Sequence, residues 1–229
     1  QLEMGRKLQL KHEEFAMIAE YCKKKDIMFL STPHGGFQSV DLLQKLKAPA
    51  FKFGSADLNN LRVLDYAARF GKPMILGTGM ADLQDVAEAV KCIHKTGNSK
   101  IIVFQCTTDY PSRHEDANLR AMLTIRDKFN VAVGYSDHTI GTEAAIVAVA
   151  LGAMVLEKHL TLDNNMQGPD HKASANPVDF GAYVKAVRST EIILGSHQKT
   201  VSQSAKQYIP LVLNSVVARY AINKGERLT

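Results

Sequence analysis

The sequence predicts an α/β fold in which a parallel sheet is covered by helices. Short apolar runs, each of the length of a buried strand, alternate with helical stretches from residue 27 onward. The runs recur at intervals of roughly 20 to 30 residues, which is the spacing of β/α units. A polar or glycine-rich cluster closes every run, and this places the polar groups at one edge of the sheet.

Six strands and seven helices are expected along the chain. The predicted strands are residues 27–30, 50–53, 73–76, 101–104, 131–135 and 153–156. The predicted helices are residues 13–24, 40–46, 58–70, 83–95, 119–129, 139–151 and 177–194, and Gly195 is the expected stop of the last one.

Such regular alternation, with polar clusters at one edge, is typical of a (β/α)8 TIM barrel. Strands 3 to 8 of the barrel are expected in this chain, and the first two units are expected to lie outside it, so the barrel is incomplete here. Residues 1–195 are assigned to the barrel, 196–213 to a polar linker and 214–229 to the start of another domain.

Composition narrows the class of protein. The 229 residues are 45% hydrophobic, which is enough for a core. The net charge of +5 comes from scattered basic residues and the chain has no Trp, so small anionic substrates are favoured and a nucleic-acid role is not expected. The three cysteines show no zinc-type spacing. Neither an apolar run of about 18 residues nor a secretion signal is visible, and we expect a cytoplasmic protein without membrane association.

Two histidines are the strongest candidates for chemistry. His138 and His159 are 21 positions apart and follow consecutive predicted strands that one helix connects. Parallel strands joined in this way end at the same edge of a sheet, so both imidazoles are expected to lie close enough to share a divalent metal. Two imidazoles leave positions for water and substrate oxygens, which suits a Lewis acid. A hydrogen-bonded structural role is the alternative for each histidine taken alone.

Further polar residues follow the other strands. Lys52 alternates with two Phe residues, so its side chain points either into the barrel, where it forms a phosphate cradle with Gly54 and Ser55, or to the surface. Asp57 is either an acid–base group or the N-cap of the following helix. Ser136 is expected to donate its hydroxyl to an anion, because no GxSxG nucleophile motif surrounds it.

Six motifs, taken in order, closely resemble the sialic acid synthase family, which includes N-acetylneuraminate synthases and their legionaminate and pseudaminate relatives. The motifs are FKFGSADLNN (51–60), GKPMILGTGM (71–80), QCTTDYPS (105–112), GYSDHT (134–139), LGAMVLEKHLT (151–161) and GPDHKAS (168–174). The resemblance covers residues 8–229, and the tail SVVARYAINKGE resembles the opening of the SAF (antifreeze-like) domain that follows the barrel in these enzymes.

This resemblance implies a reaction. Phosphoenolpyruvate would condense with an N-acetylated aldose of the mannose type, releasing phosphate and giving a nine-carbon 2-keto acid. The cofactor would be Mn²⁺ or Mg²⁺, held by His138 and His159, and the full-length protein would form a domain-swapped homodimer. Of the product branches, the GPDHKAS motif favours neuraminate or legionaminate over pseudaminate.

The resemblance also assigns roles to individual residues. Asp57 takes the position of the catalytic carboxylate, beside His138 and His159. The substrate-binding residues would be Thr32, Lys52, Ser55, Thr108 and Ser136 toward phosphoenolpyruvate, and Tyr110 and Asp170 toward the sugar.

Three positions differ from the family pattern. Asp57 stands where many bacterial members have Glu, Gly77 where others have Ser, and Thr108 where others have Asn. A Glu, a Lys and a Gln that the first two strands supply in the family, and an Arg from the partner's SAF domain, lie outside this chain. We therefore expect the 229 residues alone to show little or no turnover.

Two alternatives stay open. One is a related synthase that condenses phosphoenolpyruvate with a phosphorylated aldose to give another 2-keto acid. The other is a non-catalytic, ligand-binding paralogue that kept the metal pair and lost turnover.

Overall fold

The structure, a computed structural model that describes residues 8–227, contains one parallel sheet. Its strands are β1 (Phe51–Phe53), β2 (Met74–Gly77), β3 (Ile101–Gln105), β4 (Ala132–Asp137) and β5 (Val155–Lys158). Every neighbouring pair is parallel, and the spatial order is the chain order. This is the arrangement of a barrel wall, so the predicted α/β fold with a parallel sheet is confirmed.

Helices connect the strands, as the sequence predicts. In the described residues up to Leu194 they are α1 (His12–Lys24), α2 (Phe37–Lys45), α3 (Leu61–Ala68), α4 (Leu83–His94), α5 (Arg120–Phe129), α6 (Glu143–Ala150) and α7 (Pro177–Leu194). Local hydrogen bonds fix where α4 begins, because the Asp82 carboxylate caps the helix by accepting the N–H groups of Gln84 and Asp85 at 2.7 and 3.0 Å. None of the helices described between residues 8 and 227 has the length and apolarity needed to cross a membrane.

The main apolar core lies between the sheet and its helices. Alternate strand side chains enter it, including Phe51 and Phe53 of β1 and Met74 and Leu76 of β2, all of which are fully buried or nearly so. Burial of each such side chain contributes on the order of 1.5 to 3 kcal/mol to the free energy of unfolding. The sheet is therefore anchored by one of its faces, and the helices cover that face.

The opposite face of the sheet, called the inner face below, carries a smaller apolar cluster. Ala50, Ile75 and Phe104 form it. Lys52 lies on this face, because it is paired with Ile75 in the register of β1 and β2 and side chains alternate along a strand. The inner face thus combines a few apolar residues with a lysine.

The prediction of a strand at residues 27–30 is wrong, and the described sheet has five strands instead of six. Ile27 and Met28 are largely exposed, whereas Phe29 packs against the main core. The run is apolar because Phe29 contacts the main core, although the run is not part of the sheet. A strand also needs backbone partners in register, and residues 27–30 form no ladder with β1.

The chain divides into two compact units between Leu194 and Gly195. Gly195 has a φ of 58°, a left-handed conformation that favours glycine, and it ends α7 as predicted. In the second unit, two single-turn helices, α8 (Gln203–Lys206) and α9 (Ile209–Val212), lie in the segment predicted as a linker. The assignment of 214–229 to the start of a SAF domain stays a prediction, and residues 228–229 lie outside the described residues.

Candidate active site

The two histidines lie side by side at the carboxyl-terminal edge of the sheet. β4 and β5 are paired with Ser136 opposite Glu157, so His138 and His159 follow neighbouring strands at the same level. Their ring centroids are 5.4 Å apart and their planes make an angle of 80°. The ring of Tyr110 lies 4.3 Å from that of His138 and 5.3 Å from that of His159. The structure therefore brings both imidazoles together beside a phenol.

Burial and a backbone contact determine the state of the His138 ring. Its Nδ1 lies 2.6 Å from the carbonyl oxygen of Thr107, and because a carbonyl accepts and does not donate, we assign the ring proton to Nδ1. Burial lowers the pKa of His138, although the contact with Thr107 acts in the opposite direction. In the neutral ring Nε2, which lies 3.3 Å from Ser136 Oγ, then carries no proton and is the atom that can bind a metal.

His159 is held by the loop that follows β5. Its carbonyl oxygen accepts the N–H of Ala175 at 2.9 Å, next to a parallel bridge between Leu160 and Ala175. Its Nδ1 lies 3.9 Å from Asp170 Oδ2, which is too long for a direct hydrogen bond. The loop thus places Asp170, the residue predicted to face the sugar, at the rim beside His159.

Lys52, Ser136 and Glu157 form a polar cluster on the inner face. Lys52 Nζ lies 3.1 Å from Glu157 Oε1, and Ser136 Oγ donates to the same oxygen at 2.7 Å. Of the two orientations left open for Lys52, the inward one is therefore observed and the surface one is wrong. Glu157 is not among the site residues predicted from the sequence. The signal that finds it is the strand register, which sets Glu157 opposite Ser136.

Ser55 and Thr108 meet at the turn that follows β2. Ser55 Oγ accepts the N–H of Gly79 at 2.8 Å and lies 3.5 Å from Cys106 Sγ, while the N–H of Thr108 donates to Gly79 O at 3.3 Å. A Cβ on Gly79 would stand 2.2 Å from Thr108 Oγ1 and 3.0 Å from Ser55 Oγ. Glycine at this position is what allows the two predicted phosphoenolpyruvate ligands to approach each other.

Gly77 is matched to Ser55 in the same way. A Cβ on Gly77 would stand 3.1 Å from Ser55 N and 3.2 Å from Ser55 Oγ, which is tighter than ordinary contact. The serine that the family pattern has at this position would require Ser55 to move by a few tenths of an ångström. Because this chain has Gly at position 77 instead of Ser, Ser55 can keep the position seen in the structure.

Asp57 does not cap the following helix. Helix α3 begins at Leu61 with Asn60 at its N-cap, while Asp57 lies in the preceding 3₁₀ turn, Ser55–Asp57. Its carboxylate instead binds an imidazole, with Oδ2 2.7 Å from Nδ1 of His34. The N-cap interpretation is wrong because that turn separates the carboxylate from the helix. His34, which no sequence pattern indicates as a site residue, is the partner that orients it.

A cavity of about 570 Å³ adjoins the polar cluster. Lys52 and Glu157 line it together with Thr32, so Thr32 borders the same cavity as the predicted anion-binding lysine. Much of the remaining lining is apolar and comes from β5, α7 and the inner face. Neither His138 nor His159, both of which the structure describes, lines this cavity. Glu157 connects the cavity to the histidine edge.

The donor set at the sheet edge excludes one kind of metal site. Within residues 8–227, no group of three or more His, Cys, Asp or Glu side chains is arranged to hold an ion. A closed structural zinc site, which needs four protein ligands, therefore does not fit this part of the chain. Two imidazoles fit an ion that takes its other ligands from water and substrate oxygens.

The chain is similar to curated proteins along almost its whole length. It is 46% identical over 227 residues to an uncharacterized protein of Methanocaldococcus jannaschii, covering 99% of this chain and 67% of the relative. It is 42% identical over 228 residues to the N,N'-diacetyllegionaminic acid synthase of Campylobacter jejuni, covering 99% and 68%. It is 36% identical over 228 residues to human N-acetylneuraminate-9-phosphate synthase, covering 99% and 63%. The chain thus spans about two thirds of the length of these relatives.

Solved structures share the fold. The N-acetylneuraminic acid (sialic acid) synthetase of Leptospira borgpetersenii, in complex with citrate, superposes with a TM-score of 0.84 at 31% identity, covering 91% of this chain and 72% of that one. A truncated 3-deoxy-D-arabino-heptulosonate 7-phosphate synthase of Thermotoga maritima has a TM-score of 0.67 at 18% identity over 81% and 72%, and it shows the shared fold alone. The profile of the NeuB family matches residues 1–199, and with relatives this similar over almost the whole chain, the chain belongs to the NeuB family.

Proposed function

We propose that the protein condenses phosphoenolpyruvate with an N-acetylated aldose of the mannose type, giving a nine-carbon 2-keto acid and phosphate. Relatives that are 32 to 42% identical are synthases of N,N'-diacetyllegionaminic acid, N-acetylneuraminate 9-phosphate and pseudaminic acid, which supports this class of product. A domain-swapped homodimer and a cytoplasmic location stay predictions.

The observation that carries the proposal is the meeting of two different groups of side chains at one sheet edge. Lys52 and Ser136 offer a cation and a hydroxyl, which suit the carboxylate or phosphate of an anionic substrate. His138 and His159 offer two imidazoles, which suit a divalent ion. Glu157 joins the groups, since its carboxylate binds Lys52 and Ser136 and it lies on β5, two residues before His159. A reaction between an anionic donor and a polar acceptor needs both groups in one site.

A divalent cation, Mn²⁺ or Mg²⁺, is part of the proposal. His138 and His159 would hold it, because their rings are adjacent and Nε2 of His138 carries no proton. When bound, the ion would supply Lewis-acid polarisation of the aldehyde oxygen of the sugar. The contact of His138 Nδ1 with the Thr107 carbonyl fixes the ring orientation that this role requires.

The new carbon–carbon bond forms between C3 of phosphoenolpyruvate and the aldehyde carbon, whose oxygen takes up a proton. Water then adds to C2 and gives up one proton, which balances the proton taken up by the aldehyde oxygen. The tetrahedral centre releases phosphate by cleavage of its C–O bond, and its remaining hydroxyl proton passes to the phosphate, which leaves the 2-keto acid. Ser55 and Thr108, with Lys52, orient the anionic groups of the donor. Asp57 is the group assigned to exchange the proton with water, because its carboxylate is only partly exposed and His34 orients it.

The test is the release of phosphate from phosphoenolpyruvate that carries ¹⁸O in the C–O–P bridge, with the complete gene product as enzyme. We expect the label in the phosphate, and release that requires both an N-acetylated mannose-type acceptor and Mn²⁺ or Mg²⁺. Release without an acceptor, or label retained in the keto acid, would reject the proposal. A requirement for a phosphorylated acceptor would favour a related synthase, and binding of phosphoenolpyruvate without turnover would favour a non-catalytic paralogue.

The metal assignment has its own variant. His138→Ala is expected to abolish the dependence of the rate on metal while the free energy of unfolding changes little. His94→Ala, which removes an exposed imidazole at the end of α4, is the matched control and should behave as wild type. An unchanged rate for His138→Ala would remove the assignment.

A further inference from the structure

We propose that the buried ion pair of Asp137 and Lys158 is a register lock, a contact that fixes β5 against β4 and so positions His138 and His159 opposite each other. Asp137 and Lys158 directly precede the two histidines and are partners in the strand register. Neither residue has a role in the function proposed above. They act as positioning residues, since their effect reaches the substrates through the histidines.

The ion pair lies on the face of the sheet that the helices cover. Lys158 Nζ is 3.2 Å from Asp137 Oδ2, and the two side chains are 4% and 0% exposed. The ammonium group also lies 5.4 Å from the ring centroid of Tyr183, a residue of α7. Side chains alternate between the two faces along an extended chain. Because Asp137 and Lys158 face α7, the histidine that follows each of them points to the inner face.

The same pair holds the backbone on both sides of His138. Asp137 Oδ1 accepts the N–H of Thr139 at 2.9 Å and its hydroxyl at 2.7 Å. Lys158 Nζ donates to the carbonyl oxygen of Thr139. His138 thus lies between two residues, Asp137 and Thr139, that the lysine of the next strand binds directly.

Strand β5 depends on such a contact. It has only four residues, and among the described residues it pairs with β4 alone. A slip by one residue would turn Glu157 and His159 away from the inner face. It would also separate Lys158 from Asp137, whose buried Oδ2 lies 3.2 Å from the lysine ammonium.

Stability alone does not explain a charged pair at this position. Apolar residues of similar volume commonly replace a buried ion pair with equal or better stability, whereas a directional pair specifies one arrangement. The double variant Asp137→Leu with Lys158→Met separates the two effects. It removes both charges together, so no unpaired charge is left inside.

The primary measurement is the nuclear Overhauser contact between the ring protons of His138 and His159 in the metal-free 229-residue chain, with urea unfolding in parallel. We expect wild type to show the contact. The double variant of Asp137 and Lys158 should lose the contact while it still unfolds cooperatively, at a lower urea concentration than wild type because the buried N–H and hydroxyl of Thr139 lose their acceptor. A folded double variant that keeps the contact, or a wild type that lacks it, overturns the proposal.

Two further variants complete the test. Arg188→Leu with Glu191→Met removes an exposed ion pair of 2.8 Å on α7 and should leave the contact between the rings unchanged. Lys158→Arg keeps the charge and should keep the contact, which makes it decisive if the double variant fails to fold. Loss of the contact in folded Lys158→Arg would show that charge is not what fixes the register.

The inference rests on the proposed function in one respect, because the spacing of the histidines matters through the ion that they would bind. Mn²⁺ affinity, measured from the electron paramagnetic resonance signal of the free ion, should be at least tenfold weaker in the double variant than in wild type. Equal affinity overturns the positioning role. A wild-type chain that binds no Mn²⁺ but shows the ring contact rejects the metal in the proposed function, while the register lock is then supported or overturned by the ring contacts alone.

Discussion

Gly79→Ala tests whether the turn after β2 shapes the predicted anion site. The glycine N–H donates to Ser55 Oγ at 2.8 Å, and its carbonyl accepts the N–H of Thr108 at 3.3 Å. A methyl group at this position would stand 2.2 Å from Thr108 Oγ1, 2.9 Å from Thr108 N and 3.0 Å from Ser55 Oγ. The substitution therefore acts on two predicted phosphoenolpyruvate ligands without removing either.

The magnitude follows from these distances. Ordinary contact begins at 3.4 Å, so Thr108 Oγ1 must retreat by about 1.2 Å and Thr108 N by about 0.5 Å. Thr108 is exposed, so its hydroxyl can rotate away, whereas its backbone must shift. We expect the free energy of unfolding to fall by about 1 kcal/mol, the lower end of overpacking costs. The shift also separates Thr108 from Ser55, and the affinity for phosphoenolpyruvate should fall at least tenfold, or about 1.4 kcal/mol.

Urea unfolding and calorimetric titration with phosphoenolpyruvate measure the two effects. Gly181→Ala is the matched control, because a Cβ at this position of α7 meets nothing within 4 Å. Alanine in a helix interior should raise the free energy of unfolding by about 0.5 to 1 kcal/mol and leave binding unchanged. If Gly79→Ala bound phosphoenolpyruvate as tightly as Gly181→Ala, the reasoning about this turn would be refuted.

Three further predictions concern the sheet, the buried thiol and the inward lysine. Gly134→Ala should cost about 3 kcal/mol in free energy of unfolding or prevent folding, because its Cβ would stand 2.4 Å from a carbonyl oxygen of β5 and 2.6 Å from the Phe104 ring; urea unfolding checks this. Cys106 should react with a thiol reagent only on unfolding, since it is 6% exposed and burial raises its pKa; a timed thiol count checks this. Lys52→Met should change the free energy of unfolding by less than about 1 kcal/mol, because Glu157 is 33% exposed and can be hydrated, yet titration should show at least tenfold weaker phosphoenolpyruvate binding.

Each of these has a control or a contrary result. A Gly134→Ala protein as stable as wild type would contradict the packing of β4. Cys22 and Cys92, which are partly exposed, should react first, and equally fast labelling of all three thiols would contradict the burial. Lys45→Met, at an exposed position of α2, should bind phosphoenolpyruvate normally, and the lysine assignment fails if Lys52→Met does the same.

Much of the fold could be predicted from local pattern. Helix α7 has the predicted bounds, because Pro177 suits a first turn and Gly195 adopts the left-handed conformation that ends a helix. Five predicted strands form, since each apolar run is followed by a crossover helix that returns the chain in parallel. The apolar run at 27–30 does not form a strand. Apolarity can be read from the run itself, whereas strand formation also requires a neighbouring strand whose backbone groups pair with it.

The site could be predicted in part for the same reason. The closeness of His138 and His159 could be predicted because consecutive parallel strands end at one edge of the sheet. The structure places their rings together. The contacts of Glu157 follow only from the strand register, which sets it opposite Ser136. His34 lies 23 positions from Asp57, and their contact depends on how a loop folds over the end of β1, which no spacing rule encodes. Residues at strand ends were thus predictable, and tertiary partners from loops were not.

Anomalous scattering from Mn²⁺, in crystals of this protein grown with the ion and phosphoenolpyruvate, tests the central claim most directly. The account predicts one ion bonded at about 2 Å to a ring nitrogen of His138 and to a ring nitrogen of His159. An ion bound to one of these rings alone, or bound at a distance from both, would contradict it.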